Sequence, residues 1–317
     1  MRVVWLWAVL AGLLAALTGP PVTGDPRRSV DAVIREHPEI WAGARVVQGD
    51  RSIVIGSRDA TDAAVAADTA DTTDTTNRDT RDTRDTTDTT DAAVTAGAAR
   101  TPGSGSPGLA DLARRADRAS LIVARVAGPV RPLILVPATT EQAATLAAPA
   151  AVNGLAAVAG TDRVIIEPRS FARLTGAGRD VVLAHELTHV ATGAATDGRT
   201  PKWLMEGFAD YVGYLQAGIP VASAAAELAA EVRAGRLPAA LPGADAFSAG
   251  SARLAQAYEE AWLACRYVAG RFGERALVTL YRESMRSGPR TALRRTLGMT
   301  TARFTAAWRE YVRSELS

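Results

Sequence analysis

Between Arg58 and Asp91 the chain carries ten Asp against four Arg, in Asp-Thr-Thr and Arg-Asp-Thr units with almost no aliphatic bulk, and it continues as Ala, Gly, Ser and Pro to Gly108. No other feature so limits what the sequence can build. Such a segment cannot bury enough apolar surface to offset the entropy of ordering it, so residues 58–108 are predicted to be a disordered linker. Its Asp residues lack the glycine spacing of calcium loops and are interleaved with Arg, which argues against a calcium site. Folded structure must come from the flanks, a small segment over 25–57 and a domain over 109–317.

The formal charge of +2 becomes +8 once the ten Asp and four Arg of the tract are set aside. That surplus is spread over helical segments with no evident basic stripe, so no nucleic-acid partner is expected. Cys265 is the only cysteine, which excludes an intramolecular disulfide framework and any cysteine-based zinc finger. It reads as a small buried hydrophobe. The histidines are His37, His185 and His189, and Lys202 is the only lysine.

At the start of the chain Arg2 precedes an uncharged apolar run, Val3 to Leu17, with small residues at Thr18-Gly19 and Thr23-Gly24. This run is short of the roughly 20 residues a spanning helix needs and matches the core of a signal peptide. Residues 1–24 are therefore expected to be a signal peptide cleaved near Gly19 to Gly24, or else an uncleaved anchor. The protein is accordingly expected to be secreted or held at the cell envelope, with membrane association only through this segment.

The flanking segments read as α+β. Ser29 to Ile40 has weak helical spacing, and Val46-Val47 and Ile53-Val54-Ile55 flank Gly49-Asp50 as a small hairpin. A helix is predicted from Leu109 to Val126, a strand at Leu133 to Val136, and a short helix from Thr140 to Leu146. Leu155–Ala159 and Arg163–Glu167 read as paired strands. Everything after Asp180 has helical period, so a small sheet precedes a helical half. Ala276, Leu277, Leu280 and Tyr281, and then Phe304, Trp308 and Val312, are core positions of the last helices.

His185-Glu186-Leu187-Thr188-His189 lies in an apolar helix, read as starting with Asp180 as N-cap and ending near Gly193. Residues four apart share a helical face, so the two imidazoles converge on one point, with Glu186 about 100° round the axis. Two neutral nitrogens with an adjacent carboxylate suit a zinc ion and a base that deprotonates water. A third ligand must be a carboxylate unless His37 returns from beyond the tract. Thr200 is read as the cap of a second helix with Pro201 at its first position. Trp203, Leu204, Phe208, Tyr211 and Leu215 form its buried stripe, with Glu206 and Asp210 on one face. Glu206 fits as third ligand and Asp210 as acceptor for the free N–H of a ligand histidine.

His-Glu-Leu-Thr-His followed by Trp203-Leu-Met-Glu-Gly-Phe-Ala resembles the gluzincins, specifically the peptidase MA-like domains of exported bacterial proteins, over roughly Leu109 to Ser317. The resemblance implies a thermolysin-like fold, a zinc cofactor and a peptide or protein substrate. It makes His185, His189 and Glu206 metal ligands and Glu186 the general base. It also implies an oxyanion-stabilising tyrosine opening a later helix, which Tyr258 matches best; Tyr211 and Tyr214 compete for that role. The Gly-x-Met-Glu-Asn segment with which related aminopeptidases hold a substrate α-amine has no counterpart here. The stretch from Gly154 to Val158 is read as the edge strand that would pair with a peptide backbone. The rival reading is an inactive peptidase-fold binding or scaffold protein. A further one is a zymogen whose tract is cut near Arg100.

Overall fold

Ile53-Val-Ile-Gly and Leu133-Ile-Leu-Val are short runs with the branched and aliphatic side chains that suit a buried parallel pair, and they lie side by side in the structure. The structure, a computed structural model, describes residues 26–58, 107–150, 152, 154–248 and 250–317. The N-terminal apolar run and, apart from Arg58, Pro107 and Gly108, the Asp/Thr tract lie outside the described residues.

The described residues begin with α1 (Pro26–Glu36) and α2 (Pro38–Trp41), followed by β1 (Arg45–Gln48) and β2 (Ile53–Gly56). Beyond the tract come α3 (Pro107–Val126), β3 (Leu133–Val136), α4 (Thr140–Ala147), β4 (Ala157–Ala159), β5 (Val164–Ile166) and α5 (Pro168–Ala172). The rest is helical: α6 (Gly176–Thr192), α7 (Lys202–Tyr214), α8 (Val221–Ala224), α9 (Ala226–Arg233), α10 (Leu254–Phe272), α11 (Glu274–Ser287), α12 (Pro289–Leu297) and α13 (Thr301–Leu316). Single 3₁₀ turns lie at Ala194–Thr196 and Ala244–Phe247. The fold is thus α+β, with one small mixed sheet and a mostly helical remainder among the described residues.

The sheet order is β1-β2-β3-β5-β4. β1 and β2 form the expected hairpin, Val46 opposite Ile55, but β2 also pairs in parallel with β3, Val54 opposite Ile134. Residues from before the tract therefore complete the sheet built after it. Asp117 of α3 fastens the hairpin turn, its carboxylate accepting from the backbone N–H groups of Asp50 (2.8 Å) and Arg51 (2.9 Å). Ser52 Oγ donates to the Ala113 carbonyl at 3.1 Å.

Glycine sets the packing of the helical half. A Cβ on Gly207 of α7 would stand 2.2 Å from the Ala261 carbonyl oxygen of α10, and one on Gly213 would stand 3.0 Å from the Val181 carbonyl oxygen of α6. The backbone of α7 thus touches both neighbours, and bare glycine permits the approach. Trp203, Leu204 and Phe208 are buried as predicted; Tyr211 and Leu215 are half-buried, and Tyr211 Oη donates to Glu274 at 3.0 Å.

Two predicted caps are corrected. Asp180 sits inside α6, which starts four residues earlier with Thr175 accepting from Gly178 N–H; Asp180 instead meets Arg115 at 2.9 Å, where Arg115 also holds Asp111. Likewise α7 begins at Lys202 with Pro201 as its N-cap, and Thr200 caps nothing.

One cap comes from a distance. Helix α9 has no side-chain cap of its own, and Glu259 of α10 accepts from Leu228 N–H (2.6 Å) and Glu227 N–H (3.3 Å). Burial, reinforced by the Glu227 carboxyl, pushes Glu259 up to about 10 from the ordinary 4.5. Between those values the native state holds a proton that the unfolded chain releases, so stability falls as pH rises through the interval, by up to about 1.4 kcal/mol per unit. Glu259→Gln, which imitates the protonated acid, is expected to flatten that slope. Thermal melts from pH 5 to 9 check this: the variant should match wild type near pH 5 and melt higher at pH 8.

Candidate metal centre

Helix α6 is apolar from Val181 to Val190 apart from His185, Glu186, Thr188 and His189, and all four are buried. Gly193, in the left-handed conformation, closes it. Helix α7 brings Glu206 against the same point. His185 Nε2 and His189 Nε2 are 3.0 Å apart, and Glu206 Oε2 lies 3.4 Å from the first and 3.3 Å from the second. A tetrahedral ion with bonds of about 2.0–2.1 Å separates its ligand atoms by about 3.4 Å, so the triangle has the right size for one. Two imidazole nitrogens turned toward each other beside a carboxylate are the donor set a divalent cation satisfies. The group can hold a metal ion.

Asp210, one turn beyond Glu206, places Oδ1 2.8 Å from His185 Nδ1. A carboxylate only accepts, so Nδ1 carries a proton, and Nε2 is the nitrogen turned to the shared point, where a metal ion would take the place of any proton it holds. Burial opposes a charge on His185, but Asp210, with help from Glu206 and Glu186, outweighs it and holds the ring well above its usual range. His189 is held low, by burial above all, and its Nδ1 meets no hydrogen-bond partner among the described residues. Asp210→Asn is expected to weaken metal binding about 10–100-fold, read by competition titration against a chelating dye. Unchanged affinity would count against this role.

Glu206 is held below the usual carboxylate range: burial works the other way, and His189, His185 and Lys202 overcome it. Lys202 Nζ lies 3.4 Å from Glu206 Oε1, leaving Oε2 for the imidazoles. This contact was not anticipated, although the chain's single lysine stands four residues before the acid, a spacing that puts both on one face.

Glu186 stands outside the ligand triangle. Burial pushes its carboxyl up to about 7, the His185 ring pulls against this, and the Glu206 carboxylate adds to it. It also accepts a backbone hydrogen bond from Ala159 of β4. β4 is an edge strand. Ala156 O and Gly160 N bond to the β5 side (Glu167 N and Arg163 O), so the alternation of an antiparallel ladder turns Ala157 and Ala159 outward. The predicted edge strand is therefore present, three residues shorter at its start and one longer at its end.

Tyr258 lies within α10, a turn past its start. Its ring is buried, 6.5 Å from the His185 ring and edge-on to Phe247 at 5.2 Å. Tyr214 packs on Trp262, Cys265 is buried, and His37 pairs with Glu39 at 3.1 Å on the surface, away from the cluster. No family model, curated protein or solved structure matches this chain.

Proposed function

We propose that the chain is an exported zinc metallopeptidase of the gluzincin type, with a thermolysin-like fold, acting on peptides or proteins. The observation that carries this reading is the His185–His189–Glu206 triangle with a fourth side chain, the carboxyl of Glu186, beside it and outside it. Structural zinc sites are closed by four protein ligands, whereas three ligands and a neighbouring acid leave a position for water and substrate. A zinc ion held by the three side chains would supply Lewis acidity toward water and a peptide carbonyl.

The chain's own groups divide the remaining work. Glu186, its proton affinity raised to about 7, can take a proton from the attacking water and later release it to the departing amine. Asp210 fixes the orientation of His185, and Lys202 fixes that of Glu206. The outward backbone groups of β4 can align an extended peptide. Tyr258 is the proposed donor to the developing oxyanion.

Metal analysis and a casein assay test this directly. The purified protein should carry one zinc per chain. Cleavage should stop on treatment with 1,10-phenanthroline and return with added zinc. Zinc-loaded protein that cleaves neither casein nor a quenched peptide library would leave the scaffold reading in its place.

A further inference from the structure

The positive surplus is not evenly spread. Residues 107–260 carry 14 basic and 15 acidic side chains, whereas residues 261–317 carry eleven Arg against four Glu. The expectation of no basic stripe fails here, because the folded helices gather what the linear sequence spaces out. Arg275, Arg282 and Arg286 fall within about 40° of one another around α11, and Arg290 and Arg294 do the same on α12. All five are exposed. Arg295 Nη1 reaches Glu283 at 2.7 Å and Ser287 Oγ at 3.4 Å, which sets α12 beside α11, each carrying its own exposed arginine row. Arg295, Arg313 and Arg266 have acidic partners. Among the described residues, no carboxylate lies within salt-bridge distance of Arg275, Arg282, Arg286, Arg290 or Arg294.

We propose that the α11–α12 face docks the protein on a bilayer rich in anionic phospholipid. Like charges gathered without partners repel one another, and a negative surface relieves that. Phe272, two residues before α11, is one of the three large apolar side chains left exposed among the described residues, with the Arg271 guanidinium 5.8 Å from its ring centre. An exposed apolar ring next to an arginine suits the headgroup boundary. Where the apolar run Val3–Leu17 acts as the expected anchor, the contact adds a second attachment; where that run is removed, it is the first.

Vesicle sedimentation of the full chain tests the proposal. Wild type is compared with the variant carrying Arg275→Gln, Arg282→Gln, Arg290→Gln and Arg294→Gln. Both share the N-terminal run, so the difference reads the arginines. Vesicles of phosphatidylcholine with about 30% phosphatidylglycerol should bind wild type about 600-fold more strongly than the variant, at about fivefold for each of the four arginines. Pure phosphatidylcholine should not distinguish them, and raising salt from about 0.1 to 0.5 M should erase the gap. Equal binding of the two proteins to anionic vesicles, with a variant whose melt shows it folded, would overturn the proposal. Tighter retention on duplex DNA than on those vesicles at the same salt would also overturn it.

Discussion

Glu186→Gln is expected to lower peptide cleavage by about 10²–10⁴-fold, toward the upper end because one carboxyl both accepts and returns the proton. Zinc content should stay at one per chain. Glu186 is not among the three side chains that converge on the metal point, and an amide of the same shape can still accept from Ala159. His189→Ala, by contrast, opens the ligand triangle and should lose metal and activity together. Parallel measurement of zinc content and quenched-peptide turnover separates the two outcomes. A Glu186→Gln protein that turns over peptide at the wild-type rate would remove the proposed base from the mechanism.

Gly207→Ala should produce the largest loss of stability of any single methyl group in the helical half. The new Cβ would lie 2.2 Å from the Ala261 carbonyl oxygen and 2.5 Å from its carbon, both backbone atoms that no rotamer change can move. Helix propensity favours Ala by about 1 kcal/mol. Overpacking of this severity costs about 3 kcal/mol or more, so the clash wins. The helices must part, and Glu206 and Asp210 move with α7. A fall in melting temperature of roughly 6–12 °C is expected for about 3 kcal/mol in a domain of this size, together with weaker zinc binding. Gly213→Ala, whose Cβ would stand 3.0 Å from its nearest neighbour, should do less. A Gly207→Ala protein melting within about 2 °C of wild type would show that α7 and α10 separate easily.

The elements nearest the metal point were the most legible in the sequence, because helical periodicity alone brings His185 and His189 together and puts Glu206 and Asp210 on one face. Fold class followed from the order of apolar runs. What escaped depends on partners far along the chain. The start of α6 is masked by Gly176-Ala-Gly178, which reads as loop, and Asp180 looks like a cap until Arg115 is placed beside it. Glu259 as the cap of α9, and Ala159 as a partner for Glu186, have no local signal. The arginines of α11 and α12 needed their helices to be placed side by side before they read as one region. Likewise, nothing in Ile53-Val-Ile-Gly shows that its second neighbour is Leu133-Ile-Leu-Val rather than solvent.

That last pairing bears on processing. Since β2 is sewn into the sheet next to β3, a protease that nicks the chain near Arg100 would sever no described backbone hydrogen bond of the ladder. The product would be a two-piece molecule still clasped through Val54, Ile134 and the Asp117 clamp. Discarding the N-terminal piece would mean stripping two strands from one side and leaving β3 as a raw margin, so a nick there would change the number of polypeptides without freeing a pro-region.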